Sequence, residues 1–189
     1  MRNNKKLLIV LVFAIVGIAV ALSYGNLSNG ANSSNAKLGN VTVGSLAPNY
    51  GFLSENGSEV HISAYRGHPV VLWFVATWCS SCAQGNQAIN SSYQFFKQRG
   101  VKIVELELYR DLGYSGPPIT NFVSSYAPSA YSNGMVIPAY AGYNMTAEYD
   151  PQGYLDIYYL ISGNGTVSYI NGSPESTLGQ LEQAINVSA

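Results

Sequence analysis

The two cysteines of this chain, Cys79 and Cys82, are separated by two residues and stand directly behind an unbroken apolar run. That run, residues 70–76 with the sequence VVLWFVA, is typical of a β-strand that is buried on both faces. After Cys82 the apolar residues recur at helical spacing as far as Arg99-Gly100, where a helix is expected to end. The thiols therefore lie at the junction between a buried strand and a helix, an order that predicts an α/β domain.

The position of Cys79 at the start of this helix determines the chemistry that the pair can perform. The first N–H groups of a helix have no partner inside it, and together with the helix dipole they stabilise a negative charge. We therefore expect the Cys79 thiol to ionise more readily than an ordinary thiol. Cys82 lies one helical turn later, where its sulfur can attack a mixed disulfide on Cys79 and release the partner. The pair predicts thiol–disulfide exchange, which needs no cofactor and no metal.

The other elements alternate between strands and helices. Asn56-Gly57 is a strong tight-turn pair and predicts a short β-hairpin over residues 51–62. Further patterns predict a strand at 101–108, a helix at 118–126, a hairpin at 157–161 and 167–170, and a last amphipathic helix through Leu178, Leu181 and Ile185. This order predicts a mixed α/β sandwich around a central sheet, with the first hairpin as an N-terminal extension.

The N-terminus has the pattern of a targeting segment. Arg2, Lys5 and Lys6 precede an uncharged apolar stretch at residues 7–22. A positive flank followed by such a stretch directs the rest of the chain across a membrane. The length of the stretch falls between a signal-peptide core and the roughly 20 residues of a full span, so an uncleaved anchor and a cleaved signal remain alternatives.

The chain is accordingly divided into three parts. Residues 1–24 are interpreted as a signal-anchor or signal peptide. Residues 25–40 are rich in Gly, Ser and Asn and predict a flexible polar linker, and residues 41–189 are predicted to form the folded domain. We expect this domain to lie outside the cytoplasm, either anchored in the membrane by an N-terminal helix or secreted.

Asn-X-Ser/Thr sequons also favour export, because N-glycosylation takes place on secreted proteins. They begin at Asn26, Asn32, Asn40, Asn56, Asn90, Asn144, Asn164, Asn171 and Asn186. Their recurrence predicts a glycoprotein.

The charge balance excludes one class of partner. Charged residues make up 10% of the chain, against about 25% in an average soluble domain, and the net charge is −1. Beyond the leader no cluster of Lys or Arg occurs in the sequence. Nucleic-acid binding through phosphate contacts is therefore not expected.

Two sequence stretches resemble a known family. Residues 43–50, VGSLAPNY, are similar to the G-x-x-A-P-x-F opening of redoxins of the AhpC/TSA type. Residues 65–82, YRGHPVVLWFVATWCSSC, closely resemble the run around the active site in the membrane-anchored TlpA/ResA group of thioredoxin-like proteins. The resemblance implies a thioredoxin fold, a central mixed sheet flanked by helices.

The same resemblance implies roles for individual residues and partners. Cys79 corresponds to the attacking thiol, Cys82 to the resolving thiol, and Trp78 lies beside them. The family implies an extracytoplasmic thiol–disulfide oxidoreductase that acts on protein thiols and disulfides, with a membrane electron donor as a further partner.

Four departures from the family pattern concern the surroundings of the thiols. The buried Asp of thioredoxin is replaced by Trp73, the Glu of the TlpA/ResA group by Gly85, and the helix-kinking Pro by Gln87. The cis-Pro that faces the disulfide corresponds to Leu155 or Asp156, and because a cis bond before a non-Pro residue costs about 2.5–4 kcal/mol, a trans or rearranged loop is expected. Asp156 is then a candidate for the missing carboxylate near the thiols.

Three alternatives to exchange chemistry remain. A purely structural disulfide is disfavoured because so short a loop restrains the unfolded chain little. A copper-binding metallochaperone would use two thiolates with a His ligand, but His61 and His68 are expected at the surface. A peroxiredoxin-like peroxidase is the third, although Thr77-Trp78-Cys79 does not match its Thr/Ser-x-x-Cys turn.

Two further carboxylates, in the strand at 101–108, are not expected to take part in the chemistry. Glu105 and Glu107 alternate with apolar residues in the strand at 101–108. We expect them on a solvated edge and not as a catalytic pair.

Overall fold

A computed structural model describes residues 37–188 of the chain. The predicted leader, residues 1–24, and most of the predicted linker lie outside the described residues. Within residues 37–188 the structure has no helix with both the length and the apolar character to cross a membrane.

The described chain starts with a two-stranded hairpin that spans the boundary predicted between the linker and the folded domain. Strand β1 (Lys37–Leu38) pairs antiparallel with β2 (Val41–Thr42). The backbone N–H of Asn40 donates to the carbonyl of Glu148 at 3.0 Å, which attaches this hairpin to the domain.

A seven-stranded mixed sheet forms the centre of the domain. Its strands are β3 (Gly51–Ser54), β4 (Glu59–His61), β5 (Val70–Val75), β6 (Lys102–Glu107), β7 (Val136–Ala141), β8 (Ile157–Ile161) and β9 (Val167–Gly172). The order across the sheet is β4-β3-β7-β6-β5-β8-β9, in which β5, β6 and β7 are parallel neighbours and the outer pairs are antiparallel. The predicted hairpins, β3–β4 and β8–β9, are confirmed, and the buried strand β5 lies inside the sheet.

Helices and 3-10 turns connect the strands. They are α1 (Ser80–Ser91), α2 (Tyr93–Arg99), α3 (Ile119–Tyr126), α4 (Pro128–Ser132), α5 (Tyr143–Tyr149) and α6 (Pro174–Ser188), with 3-10 turns at Ile62–Tyr65 and Tyr109–Gly113. The single helix expected after Cys82 is divided in two at Ser92, whose backbone (φ −106°, ψ 11°) leaves the helical region. The neighbouring Ser91 hydroxyl donates to the carbonyl of Ala88 at 2.6 Å, and such back-bonding bends helices.

The core has two halves because the sheet is covered on both faces. Every residue of β5 is buried, and alternate side chains serve opposite faces. Val71, Trp73 and Val75 pack with residues of α1, α3 and α6, whereas the other side chains of β5 pack with α5. The helix that carries the thiols therefore rests on the face to which Trp73 points.

Strand β7 is absent from the sequence prediction, and the cause is Pro138. Proline cannot donate to a strand ladder, so it argues against a central strand. In the structure β3 pairs with β7 only from Ala139 onward, so Pro138 has a strand neighbour on the β6 side alone.

Candidate active site

The cysteine pair lies where β5 passes into α1. Cys79 is the N-cap residue, with an extended backbone (φ −82°, ψ 120°), and the helix begins at Ser80. The sulfurs are joined as a disulfide with the Cα atoms 5.3 Å apart. The N–H of Cys82, which has no carbonyl partner in the first turn, donates to Sγ of Cys79 at 3.1 Å. After reduction this N–H would stabilise a thiolate on Cys79.

The two sulfur-bearing residues differ in access to solvent. Cys79 is 5% exposed, whereas Cys82 is fully buried. The Ser81 hydroxyl lies 3.2 Å from Sγ of Cys79 and adds a second polar neighbour to the first sulfur. A sulfur atom of another protein can therefore approach Cys79 but not Cys82.

The loop between β5 and α1 is held by Asp111 from the neighbouring strand connection. Its carboxylate accepts hydrogen bonds from the N–H and the hydroxyl of Thr77, both at 2.8 Å. Its carbonyl accepts from Nε1 of Trp78, also at 2.8 Å. The indole of Trp78 is 39% exposed and packs against the ring of Tyr114 at a centroid distance of 4.8 Å. Asp111 thus fixes the two residues that precede Cys79.

Asp111 belongs to an unusual left-handed turn. Arg110, Asp111 and Leu112 have φ values of 53°, 53° and 56°. For non-glycine residues this conformation costs roughly 1–2 kcal/mol each. Such strain is maintained only where the surrounding structure requires it, and here the requirement is the contact with the loop before Cys79.

Trp73 occupies the space beneath α1. The structure places it on β5, fully buried, with its Nε1 donating to Oδ1 of Asp156 at 2.8 Å. Its ring lies so close to Gly85 that a Cβ at that position would be 2.8 Å from Cζ2 of the indole. The indole therefore excludes a side chain at position 85.

Asp156 is buried in the loop before β8, with a left-handed φ of 72°. Burial raises the pKa of its carboxyl, and the charge and hydrogen bond of Glu175 raise this pKa further, whereas Trp73 and Ser81 lower it. Asp156 therefore lies within interaction distance of Ser81, inside the Cys-x-x-Cys segment. The structure contains no cis peptide bond in its described residues, as expected for this loop. Its role as the missing carboxylate stays a prediction.

Glu105 is not on a solvated edge, and that expectation is wrong. It lies on β6 opposite Trp73, and it is fully buried because β6 is a central strand covered on both faces. Its Oε1 accepts from Nδ2 of Asn86 in α1 at 2.7 Å. Burial is the main cause that raises the pKa of Glu105 to about 8, and the charge of Asp156 adds to it. Glu107 is half-buried, and its pKa is raised to about 7, again mainly by burial.

The two candidate copper ligands differ from the thiols in their burial. His61 on β4 and His68 are both exposed. Among residues 37–188 no group of three or more His, Cys, Asp or Glu side chains could hold a metal ion.

Sequence reasoning did not select Asp111, Asn86 or Tyr114. A signal for Asp111 was present, because the carboxyl ends of the parallel strands β5 and β6 meet at one edge of the sheet, the usual place for functional groups. Asn86 carries no such signal, since one Asn within a helix is not distinctive.

Comparisons with known proteins agree with this geometry. Residues 43–110 match the AhpC/TSA family. A thioredoxin-like protein from Aeropyrum pernix has a similar structure, with a TM-score of 0.59, 19% identity, and coverage of 74% of this chain and 89% of that one. The described domain has the thioredoxin fold. The predicted fold class and the resemblance to AhpC/TSA-type redoxins are thereby confirmed.

Relatives of known activity are similar over part of their length. The thiol-disulfide oxidoreductase ResA of Bacillus subtilis is 34% identical over 86 residues, which cover 46% of this chain and 46% of ResA. The thiol:disulfide interchange protein DsbE of Vibrio cholerae is 32% identical over 110 residues, 57% of each chain. The chain thus spans about half the length of these two relatives. The match to ResA agrees with the predicted likeness to the TlpA/ResA group.

Proposed function

We propose that this protein is a thiol–disulfide oxidoreductase that exchanges disulfides with other proteins through Cys79 and Cys82. The observation that carries the proposal is the unequal placement of the two sulfurs at the start of α1. Cys79 accepts an N–H of the first turn and reaches the surface, whereas Cys82 is buried behind it. The ResA and DsbE relatives carry out this class of reaction by name.

In the reducing direction two electrons pass from the dithiol to the partner. The Cys79 thiolate attacks one sulfur of the partner's disulfide, so that a Cys79–partner bond forms and the partner's second sulfur leaves as a thiolate. Cys82, as a thiolate, then attacks Sγ of Cys79. The intramolecular disulfide forms and the partner leaves fully reduced. In the oxidising direction the same bonds form and break in reverse order.

Two substitutions test the assignment of roles. Cys79→Ser is expected to abolish exchange with a model disulfide substrate, because no nucleophile remains at the more accessible of the two positions. Cys82→Ser is expected to accumulate mixed disulfides, because the resolving thiol is lost. Ser80→Ala, at an exposed residue between the two, serves as the control. Full activity in both cysteine variants would show that the reaction does not use this pair.

The midpoint potential decides the direction of electron flow. The chain is equilibrated in thiol redox buffers and its free thiols are trapped and counted. A midpoint near about −120 mV supports an oxidant that forms disulfides, and one near about −270 mV supports a reductant supplied by a membrane electron donor.

We further propose that the domain works outside the cytoplasm, as a membrane-anchored or secreted glycoprotein. The basic and apolar leader supports export. The sequons at Asn56, Asn144, Asn164 and Asn186 lie at exposed positions, where a glycan has room. Membrane fractionation, protease protection and glycosidase treatment of the native protein test these points separately. A native protein that carries no glycan and is found in the cytoplasmic fraction would contradict them.

A further inference from the structure

Glu105 and Asn86 form a buried polar pair beneath α1 that leaves two acceptor atoms without donors. Oε1 of Glu105 accepts from Nδ2 of Asn86 at 2.7 Å. Among the described residues no group donates to Oε2 of Glu105 or to Oδ1 of Asn86. A buried acceptor without a donor costs about 1–3 kcal/mol, and more when it is charged.

One proton on Glu105 would satisfy both atoms. A carboxylic acid and a primary amide are planar groups that can form two parallel hydrogen bonds, N–H to carbonyl and O–H to carbonyl. The first of these bonds is already present. The carboxylate has no cationic partner, because the ion pair found within residues 37–188 joins His61 and Glu59. Burial without a counter-charge favours the neutral acid.

The pair also reaches the redox centre. Asn86 lies one turn after Cys82 in α1, and its Nδ2 donates to the Cys82 carbonyl at 3.3 Å in addition to Glu105. The position of the Asn86 amide, and with it a contact to the backbone of the resolving cysteine, therefore depends on the carboxyl of Glu105.

We propose that Glu105 is a positioning residue of the redox pair, held against Asn86 as a neutral carboxylic acid, whose ionisation opposes the thiolate form of the reduced protein. The inference rests on the proposed function of Cys79 and Cys82. When Glu105 is neutral, reduction of the disulfide places the negative charge of the Cys79 thiolate at the start of α1, and Glu105 adds no charge beneath the helix. When Glu105 ionises, a second buried charge beneath the helix disfavours the thiolate and thus the reduced state.

The surroundings of Glu105 contain other titratable groups. By strand register it lies beside the uncharged Trp73 and Pro138, and α1 contributes Asn86. Asp156 acts on Glu105 electrostatically from the loop before β8, and Asp156 itself interacts with Glu175 in α6 and with Tyr158 in β8. The experiment must therefore separate Glu105 from these groups by substitution.

Glu105→Gln provides that separation. A glutamine amide can make the same two bonds to Asn86 but cannot ionise, so it imitates the neutral acid at every pH. Glu59→Gln removes a carboxylate from the exposed strand β4 and is the matched control. The three full-length proteins are equilibrated with glutathione redox buffers at pH 6 and pH 9, and the reduced fraction is measured by thiol trapping.

At pH 6 the equilibrium constants for reduction should agree between the native chain and Glu105→Gln. At pH 9 the variant should be reduced more readily by about tenfold, equal to about 30 mV for a two-electron couple. Glu59→Gln should match the native chain at both pH values. The inference is overturned if the ratio of the two equilibrium constants, Glu105→Gln over the native chain, is the same at pH 6 and pH 9. A merely structural role of Glu105 would change the equilibrium constant by the same factor at both pH values. A native chain whose disulfide never equilibrates with glutathione overturns the proposed function instead.

A second measurement does not depend on the folding of the variant. The carboxyl carbon of Glu105 in the oxidised native chain, assigned through the backbone in a ¹³C NMR spectrum, should titrate near pH 8. A carboxyl that is already ionised at pH 6 would overturn the inference.

Discussion

The indole of Trp73 lies between β5 and α1, directly beneath Gly85. In the family pattern, the position of Trp73 corresponds to the buried Asp of thioredoxin, and the position of Gly85 corresponds to a Glu of the TlpA/ResA group. Here the ring of Trp73 excludes a side chain at position 85, because a Cβ on residue 85 would be 2.8 Å from Cζ2 and 3.1 Å from Cη2 of the ring. The two departures are therefore one structural change, and Asp156 completes it by accepting from the indole N–H.

This coupling leads to opposite expectations for two helical glycines. Gly85→Ala should destabilise the domain by about 1–3 kcal/mol, because the methyl group overpacks a rigid ring in the core. Gly179→Ala in α6 should stabilise it by about 0.5–1 kcal/mol, because nothing lies within 4 Å of the added methyl and alanine favours the helix. Urea unfolding of both variants gives the two values. If Gly85→Ala were as stabilising as Gly179→Ala, Trp73 would not limit the space at position 85.

At the scale of elements, two connections meet at one edge of the sheet. The β5–α1 loop contains Thr77 and Trp78, and the 3-10 turn after β6 contains Asp111. Because β5 and β6 are parallel neighbours, their carboxyl ends lie side by side, and the Asp111 carboxylate bridges the connections. Charge-assisted bonds of this kind are stronger than neutral ones and offset the cost of the left-handed turn.

Gly116 passes close to this bridge and offers a way to disturb it without removing a functional group. A Cβ on Gly116 would overlap the Thr77 hydroxyl and lie 2.8 Å from Oδ2 of Asp111. Gly116→Ala is therefore expected to shift the loop before Cys79 and to slow disulfide exchange about tenfold or more, since small displacements of reacting groups are costly. Exchange rate and tryptophan fluorescence measure the two effects.

Gly142→Ala is the control for this prediction, because nothing lies within 4 Å of an added methyl and the φ of Gly142 is −75°. The control should exchange at the native rate. An unchanged rate in Gly116→Ala would mean that the Asp111 bridge does not hold the loop in its reactive position.

The elements also show what sequence alone could predict. The apolar run of β5, the Asn56-Gly57 turn and the spacing of α6 are local patterns, and each predicted its element. Burial of Glu105 is not local: the alternation in KIVELE is the same for a strand with one solvated face and for a central strand. Strand order decides between the two, and it arises from contacts distant in sequence. The contact between Trp73 and Gly85 likewise joins residues on different elements. The sequence therefore showed that both positions depart from the family pattern, but it did not show that the two residues meet.

At the scale of the whole molecule, buried carboxyls outnumber ion pairs. Among the described residues, the basic and acidic side chains found within 4 Å of each other are His61 and Glu59, at 3.7 Å, and this contact is an ion pair only when His61 is protonated. By contrast burial raises the pKa of Glu105 to about 8, of Glu107 to about 7 and of Asp150 to about 6, and it raises that of Asp156 as well. The folded chain therefore keeps protons that the unfolded chain releases near pH 4 to 4.5.

The sign of the resulting pH dependence follows from proton binding. Stability rises with pH where the unfolded state binds more protons, and here the folded state binds more, so stability falls. The loss begins above the unfolded pKa values and ends near pH 8, the highest folded pKa among these carboxyls. Most proteins are instead most stable between about pH 5 and 8.

We therefore expect the free energy of unfolding of the oxidised chain to fall from pH 5 to pH 8, because in this range the carboxyls named above hold protons in the folded state that the unfolded chain has released. Urea unfolding at unit pH intervals gives the profile, and Asp150→Asn should flatten it below about pH 6 only, because Asp150 has released its proton above that value. A flat profile, or one that rises from pH 5 to 8, would mean that these carboxyls are ionised in the folded protein. The neutral state assigned to Glu105 would then be wrong as well, so one titration tests both the pH dependence of stability and the protonation state on which the proposed role of Glu105 depends.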